Sequence, residues 1–309
     1  MIRAFIFSSY YTAFTMKREL PLIFIIFTFG ALWNHCEGQD TSLNAFLKSF
    51  RHSFFKASAS YLSNDVYFGR RDSVSIPYIT PSIRYYNKSG IFLNAGASYL
   101  PTEKRIDAGT VGAGYIFAAN RLDGEIALNK YFFSSQSYNV KSEVKADAEA
   151  ELGYDTGPIE ITFTSTASFS DATDIAAGIG IDHTFSLLND DLEITPGFVM
   201  NGGTQYYYDA YYRKRRYVKK RKGIPDPRII TAYTLDPGKF RILDYEASLP
   251  VEYDISKLRF SFTPTIVFPV NPNTIVRTVQ PVGGNPVTKT FSEKISNSFF
   301  WSLEVSYKF

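Results

Sequence analysis

From about residue 50 to its end the chain alternates apolar and polar side chains with a period of two, segment after segment. A period of two sends successive side chains to opposite faces of an extended strand. The clearest run is Val140–Tyr154, where Val144, Ala146, Ala148, Ala150, Leu152 and Tyr154 share one face, and Lys141, Glu143, Lys145, Asp147, Glu149 and Glu151 the other. Wound as a helix, the same residues would scatter charge around the whole circumference. Ile159–Phe169, Ile175–Leu187 and Leu258–Val270 repeat the pattern. Strands of soluble sandwiches are usually ~5–6 residues long. Runs of this length suit tilted strands that cross a membrane and continue beyond it.

The connections alternate short and long. Short polar turns fall near Asn87–Gly90, Ala119–Arg121, Asp155–Pro158, Asn189–Asp191 and Asp254–Lys257, and long connections at Asp209–Gly238 and Asn271–Lys294. Strands are placed near 53–63, 74–87, 90–100, 107–118, 122–134, 140–154, 158–170, 174–188, 191–208, 239–253, 257–270 and 295–309. The fold expected is all-β, a closed antiparallel up-and-down transmembrane β-barrel of about 12 strands, with both termini on the periplasmic side. Composition agrees. The chain is 17% aromatic, with 22 Tyr and 27 Phe, as two interfacial aromatic girdles require. Mean hydropathy is only −0.13, which excludes a bundle of membrane helices but not a barrel, in which every second residue faces lipid.

One apolar run stands apart. Leu20–Trp33 carries no charge and follows Lys17 and Arg18. It is too short to span a bilayer, which takes ~20 residues, and fits a signal-peptide core of ~7–15. Residues 1–38 are therefore expected to be a leader, with the signal peptide at 16–38, Met16 as the start and cleavage before Gln39. A short N-terminal segment, 39–52, precedes a barrel domain at 53–309. The rival is lipid attachment at Cys36, but Trp33, Asn34 and His35 are poor residues for that signal. Cys36 is the one cysteine, so a disulfide scaffold or Cys-based metal site drops out of the processed chain. No cofactor is expected.

The C-terminus alternates Phe299, Trp301, Leu303, Val305, Tyr307 and Phe309 with Ser298, Phe300, Ser302, Glu304, Ser306 and Lys308, and ends on the aromatic. In this the chain resembles outer-membrane β-barrel proteins of Gram-negative bacteria. The resemblance implies an outer-membrane location and recognition of Trp301, Leu303, Val305, Tyr307 and Phe309 by the barrel-assembly machinery.

Charges cannot face hydrocarbon at the midplane without a cost of ~2–4 kcal/mol for Lys or Arg, and so are expected to line the lumen. The lumen candidates are Glu125, Glu143, Lys145, Asp147, Glu149, Glu151, Glu160, Asp182, Glu193, Glu246, Glu252 and Arg259, with acids in surplus on the fifth to seventh strands. A carboxylate-rich wall concentrates cations. The function expected is a small passive channel or solute-binding barrel with an acidic lumen, taking small cationic solutes. The alternative is a surface or assembly component. Its basic run, Arg213, Lys214, Arg215, Arg216, Lys219, Lys220, Arg221 and Lys222, would bind anionic glycolipid such as lipopolysaccharide, or a partner protein. Export makes nucleic acid an unsuitable partner. A lipid-acting enzyme is the remote reading: His183 has Ile181 and Phe185 at the positions two residues away, where a nucleophile would be needed, and Ser186 points to the other face. No enzymatic activity is expected.

Overall fold

A computed structural model describes residues 52–214 and 229–309. The leader 1–38 and its cleavage point lie outside the described residues. The first eight strands are β1 Phe54–Leu62, β2 Tyr78–Tyr86, β3 Ile91–Leu100, β4 Arg105–Ala119, β5 Leu122–Phe133, β6 Ala146–Asp155, β7 Glu160–Phe169 and β8 Thr173–Asp182. There follow β9 Phe185–Leu187, β10 Leu192–Ile194, β11 Gly197–Gly203, a helix α1 Tyr206–Lys214, β12 Ile229–Thr234, β13 Arg241–Ser248 and β14 Val251–Ile255. The last are β15 Leu258–Pro269, β16 Thr274–Gln280, β17 Val287–Ser292 and β18 Ser298–Lys308.

Each strand pairs antiparallel with its neighbour, and β18 returns to β1 with Lys56 opposite Lys308 and Leu62 opposite Ser302. The sheet closes, so no edge strand is left to hydrocarbon. Three of the long strands are each written in two pieces: β8 with β9, β10 with β11, and β13 with β14. Two of the gaps hold Pro196 and Pro250, which have no N–H to give to a ladder, and the third, His183–Thr184, lies beside Pro196. Single bonds from His183 N to Pro196 O and from Thr195 N to Pro250 O bridge them, and the in–out alternation continues across. Counted through these gaps, the barrel has twelve strands.

The outward face is apolar. Ile126, Leu128, Phe163, Ile175, Ile179 and Phe262 are all more than 40% exposed, an exterior that only lipid can cover. Among the described residues no helix is long and apolar enough to cross a membrane. One end of the barrel carries the short turns, the start of β1 and the C-terminal Phe309, and is called here the turn end. The other carries the longer connections, including a separate three-stranded sheet β12–β16–β17.

Two sequence-based boundaries are corrected. Val140–Tyr154 is not one strand: β6 begins at Ala146, where Lys145 still bonds through its backbone to Tyr131 and Phe169, and Val140–Val144 folds into the mouth. The Lys141 ammonium reaches back to Asp147 at 2.7 Å and Tyr131 at 3.0 Å and ties this segment to the inner wall. Nor does a strand run from 191 to 208. It ends at Gly203, and Tyr206–Lys214 is helical. The amides of Tyr206 and Tyr207 each donate at 2.7 Å to the Asp174 carboxylate of β8, which caps the helix and favours its positive end.

Candidate functional site: the barrel interior

The loop end is filled by its own connections. Tyr67 and Phe68 from the β1–β2 connection, Val140 and Val144 from the β5–β6 connection, and Tyr207, Tyr208 and Tyr211 of α1 pack together against Tyr131, Ala176 and Leu243 of the wall. Polar bonds pin this plug. Lys141 is held by Asp147, which also accepts from Tyr131 at 2.6 Å and Asn129 at 3.1 Å. Arg70, fully buried, donates to the carbonyls of Val270 and Asn271 and lies 3.4 Å from Glu293. Glu293 also accepts from the Tyr208 hydroxyl at 2.7 Å, and Asp72 from that of Tyr211. Burial, then the Glu293 charge, pushes the Tyr208 phenol well above its ordinary value, so it stays protonated and donates.

Two β-bulges aim further side chains at the plug. The register shifts after Ser98, leaving Asp107 as an extra residue on β4, and after Asn201, leaving Leu243 extra on β13. A bulge turns one more side chain to a chosen face. Asp107 thereby accepts from Tyr78 at 2.5 Å and Ser137 at 2.6 Å, and Leu243 enters the tyrosine cluster.

At the turn end a second apolar layer, Tyr86, Phe92, Ile116, Ala118 and Ala127 with Phe54 against it, packs inside the wall of β1–β5. Between this floor and the plug lies a cavity of about 120 Å³. Ser58, Ser60, Thr80, Ser82, Ser98 and Thr110 give it a hydroxyl wall, Tyr131, Phe133, Asn139 and Lys141 border it from the plug side, and Asn94 also faces it. Each cation on its lining has a carboxylate near: Lys56 with Glu304 at 3.2 Å, Arg84 with Glu125 at 3.6 Å, and Lys141 with Asp147. The Arg84 guanidinium lies 4.1 Å above the Phe92 ring. Gly112, on the inner face of β4, leaves room for two amide side chains. A side chain there would collide with the amide oxygens of Asn129 and Asn94, at 2.3 and 2.5 Å.

The sequence-predicted residues fall into three groups. Glu125, Asp147, Glu149, Glu151 and Glu160 share one face of β5–β7 by register, and Asp182 of β8 stands opposite Glu160. Glu193 and Glu252 oppose one another, Arg259 binds Glu252 at 3.2 Å and also Asp254, and Glu246 pairs with Val199 and Val267. Glu143 and Lys145 lie outside the strands: Glu143 meets Lys214 of α1 at 2.5 Å, and exposed Lys145 binds Asp171 at 2.8 Å. That bond raises the Lys145 ammonium pKa and lowers that of the Asp171 carboxyl.

Of the basic run, Arg213 is bonded to Asp209 at 2.6 Å and Lys214 to Glu143. Arg215, Arg216, Lys219, Lys220, Arg221 and Lys222 lie outside the described residues. Leu303, Val305 and Tyr307 of β18 are exposed, Trp301 is half-buried on the same face against Tyr61 and Phe262, and the Phe309 ring packs on Tyr307. His183 stacks edge-on against Phe185 at 4.4 Å. Among the described residues no group of three His, Cys, Asp or Glu is placed to hold a metal ion.

The chain is a membrane-spanning β-barrel. The closed twelve-strand wall with an apolar exterior decides this. No protein-family model and no curated protein matches it. Among solved structures it is similar to the KdgM porin (11% identity over 82% of this chain and 99% of that one, TM-score 0.43). It is also similar to the NanC porin (11%, 82% and 98%, TM-score 0.41) and to the outer-membrane channel DcaP of Acinetobacter baumannii (8%, 84% and 96%, TM-score 0.29). These likenesses lend nothing to the reading of this barrel's lumen.

Proposed function

We propose that the protein is a narrow solute-handling barrel of the outer membrane, which holds a small polar solute in its lumen and passes it on, rather than a wide open pore. The observation that carries this reading is the hydrophilic cavity between two packed layers. A structural plug needs no hydroxyl-lined space beneath it, and a wide pore needs no plug. The carboxylates of β5–β8 line a different part of the wall. In any conducting state they would favour cations over anions. Arg213 and Lys214 are each engaged by an acid of the chain itself, so nothing in the described residues favours glycolipid binding over this reading.

Planar-bilayer recording tests it. The protein is expected to give small or rare conductance steps beside a general porin in the same membrane. Shortening the β5–β6 connection, which removes Val140 and Val144 from the plug, is expected to enlarge them. Steady porin-sized conductance from the unaltered chain would overturn the proposal.

A further inference from the structure

We infer that the cavity on the β1–β4 wall is a binding site for a neutral, hydroxyl-bearing solute of monosaccharide size. The inference rests on the solute-handling reading above and names what is held.

Charge is the first argument. Lys56, Arg84 and Lys141 would by themselves suggest an anion site. Each, however, has its own carboxylate at 2.7–3.6 Å, and Glu304 lies on the lining as Lys56's partner. A charged ligand would have to displace one of these partners or enter unpaired, and a desolvated unpaired charge is costly. A neutral ligand meets no such penalty.

Hydrogen-bonding capacity is the second. Asn94 borders the cavity, and its Oδ1 atom, buried over Gly112, has no hydrogen-bond partner. An unsatisfied buried acceptor needs a donor, which a hydroxyl supplies and a carboxylate does not. Ser58 and Ser82 bond to each other at 2.7 Å. Such a pair uses one of its two hydroxyl hydrogens, so the second remains to donate, and both oxygens keep lone pairs. The wall thus offers both a donor and acceptors to a hydroxyl-bearing ligand. The rings of Tyr86, Tyr131 and Phe133 border the same space and offer apolar surface to the C–H side of such a ring.

The test is calorimetry on the full processed chain in detergent, with D-glucose, D-glucuronate and D-glucosamine as neutral, anionic and cationic probes on one ring. Glucose is expected to bind, and each charged probe to bind at least about tenfold more weakly. Asn94→Leu and Ser82→Ala are expected to weaken glucose binding at least about fivefold, since each removes a bond to the ligand. Glu246→Gln, on the opposite wall, should leave binding unchanged. Unaltered resistance to SDS will show that each variant is folded, and a variant that fails this check is replaced by Ser58→Ala, which removes the other hydroxyl of the Ser58–Ser82 pair and is expected to weaken glucose binding. Tighter binding of glucuronate or glucosamine than of glucose overturns the inference. So does the absence of binding by all three. Swelling of proteoliposomes in the same sugars separates the two levels: entry without binding sinks this inference and leaves the solute-handling barrel standing, whereas neither entry nor binding sinks both.

Discussion

Replacing Lys141 by Met tests whether the plug is held by a few buried polar bonds. The Lys141 and Asp147 side chains are 7% and 0% exposed and 2.7 Å apart. Removing one partner of a buried ion pair costs ~3–5 kcal/mol, because the other charge is left uncompensated. Tyr131 and Asn129 still donate to Asp147, so the lower end, ~3 kcal/mol, is the reasonable figure. At 1.4 kcal/mol per factor of ten, the undocked population of the β5–β6 connection rises roughly 150-fold. Val144, 1% exposed within the plug, is the reporter. With Val144→Cys as the sole thiol (Cys36→Ser if the leader is retained), maleimide labelling follows the open population when opening and closing are fast. The labelling rate is expected to rise about 100-fold in Lys141→Met. It should fall back by at least half on a logarithmic scale when Asp147→Asn removes the stranded charge as well. A rate within twofold of the parent would refute the reasoning and mean that the tyrosine cluster alone holds the plug.

Tyr207→Phe and Tyr208→Phe make a matched pair. The buried Tyr207 hydroxyl has no hydrogen-bond partner, so its loss should be neutral or stabilising by up to ~1 kcal/mol, whereas Tyr208→Phe should cost ~1–2 kcal/mol by depriving Glu293 of a donor. Urea unfolding in detergent measures both, and the reverse order would contradict the assignment. Burial raises the phenol pKa of Tyr207 and Tyr208, so the packed plug keeps protons that the released loops lose above pH ~10. Its stability is therefore complete below that pH and falls above it. Ultraviolet titration should show tyrosines that ionise late and together, with conductance rising in the same window, and independent titration at the ordinary value would count against burial. Glu149→Gln with Glu151→Gln should lower cation-over-anion preference in reversal-potential measurements on the plug-shortened channel. An unchanged ratio would remove the β6 carboxylates from the ion path.

Closing a barrel was legible in the sequence because its physics is one-dimensional. A strand that separates lipid from an interior must alternate, and Leu258–Val270 or Glu160–Phe169 could be read residue by residue without knowing their neighbours. The same rule assigned Glu125, Glu149 and Glu151 to one face. It failed where local pattern and tertiary contact disagree. Val140–Val144 continues the alternation of β6, yet leaves the sheet and turns inward, where Lys141 bonds to Asp147 and Val140 and Val144 are buried among the tyrosines. Tyr206–Tyr212 has the side chains of a strand, and is a helix because a carboxylate some thirty residues earlier in the chain caps it.

By itself the sequence determined the wall: strand number, face and closure follow from a periodicity that each segment carries alone. Whether that wall encloses open water was decided only by the tertiary structure. Asp107 and Leu243 turn inward through register shifts, Arg84 of β2 reaches Glu125 of β5, and Tyr67, Val140 and Tyr207 meet from three separate connections. Such contacts depend on which strands lie side by side and how loops fold back across them, and no period in the chain encodes that distance.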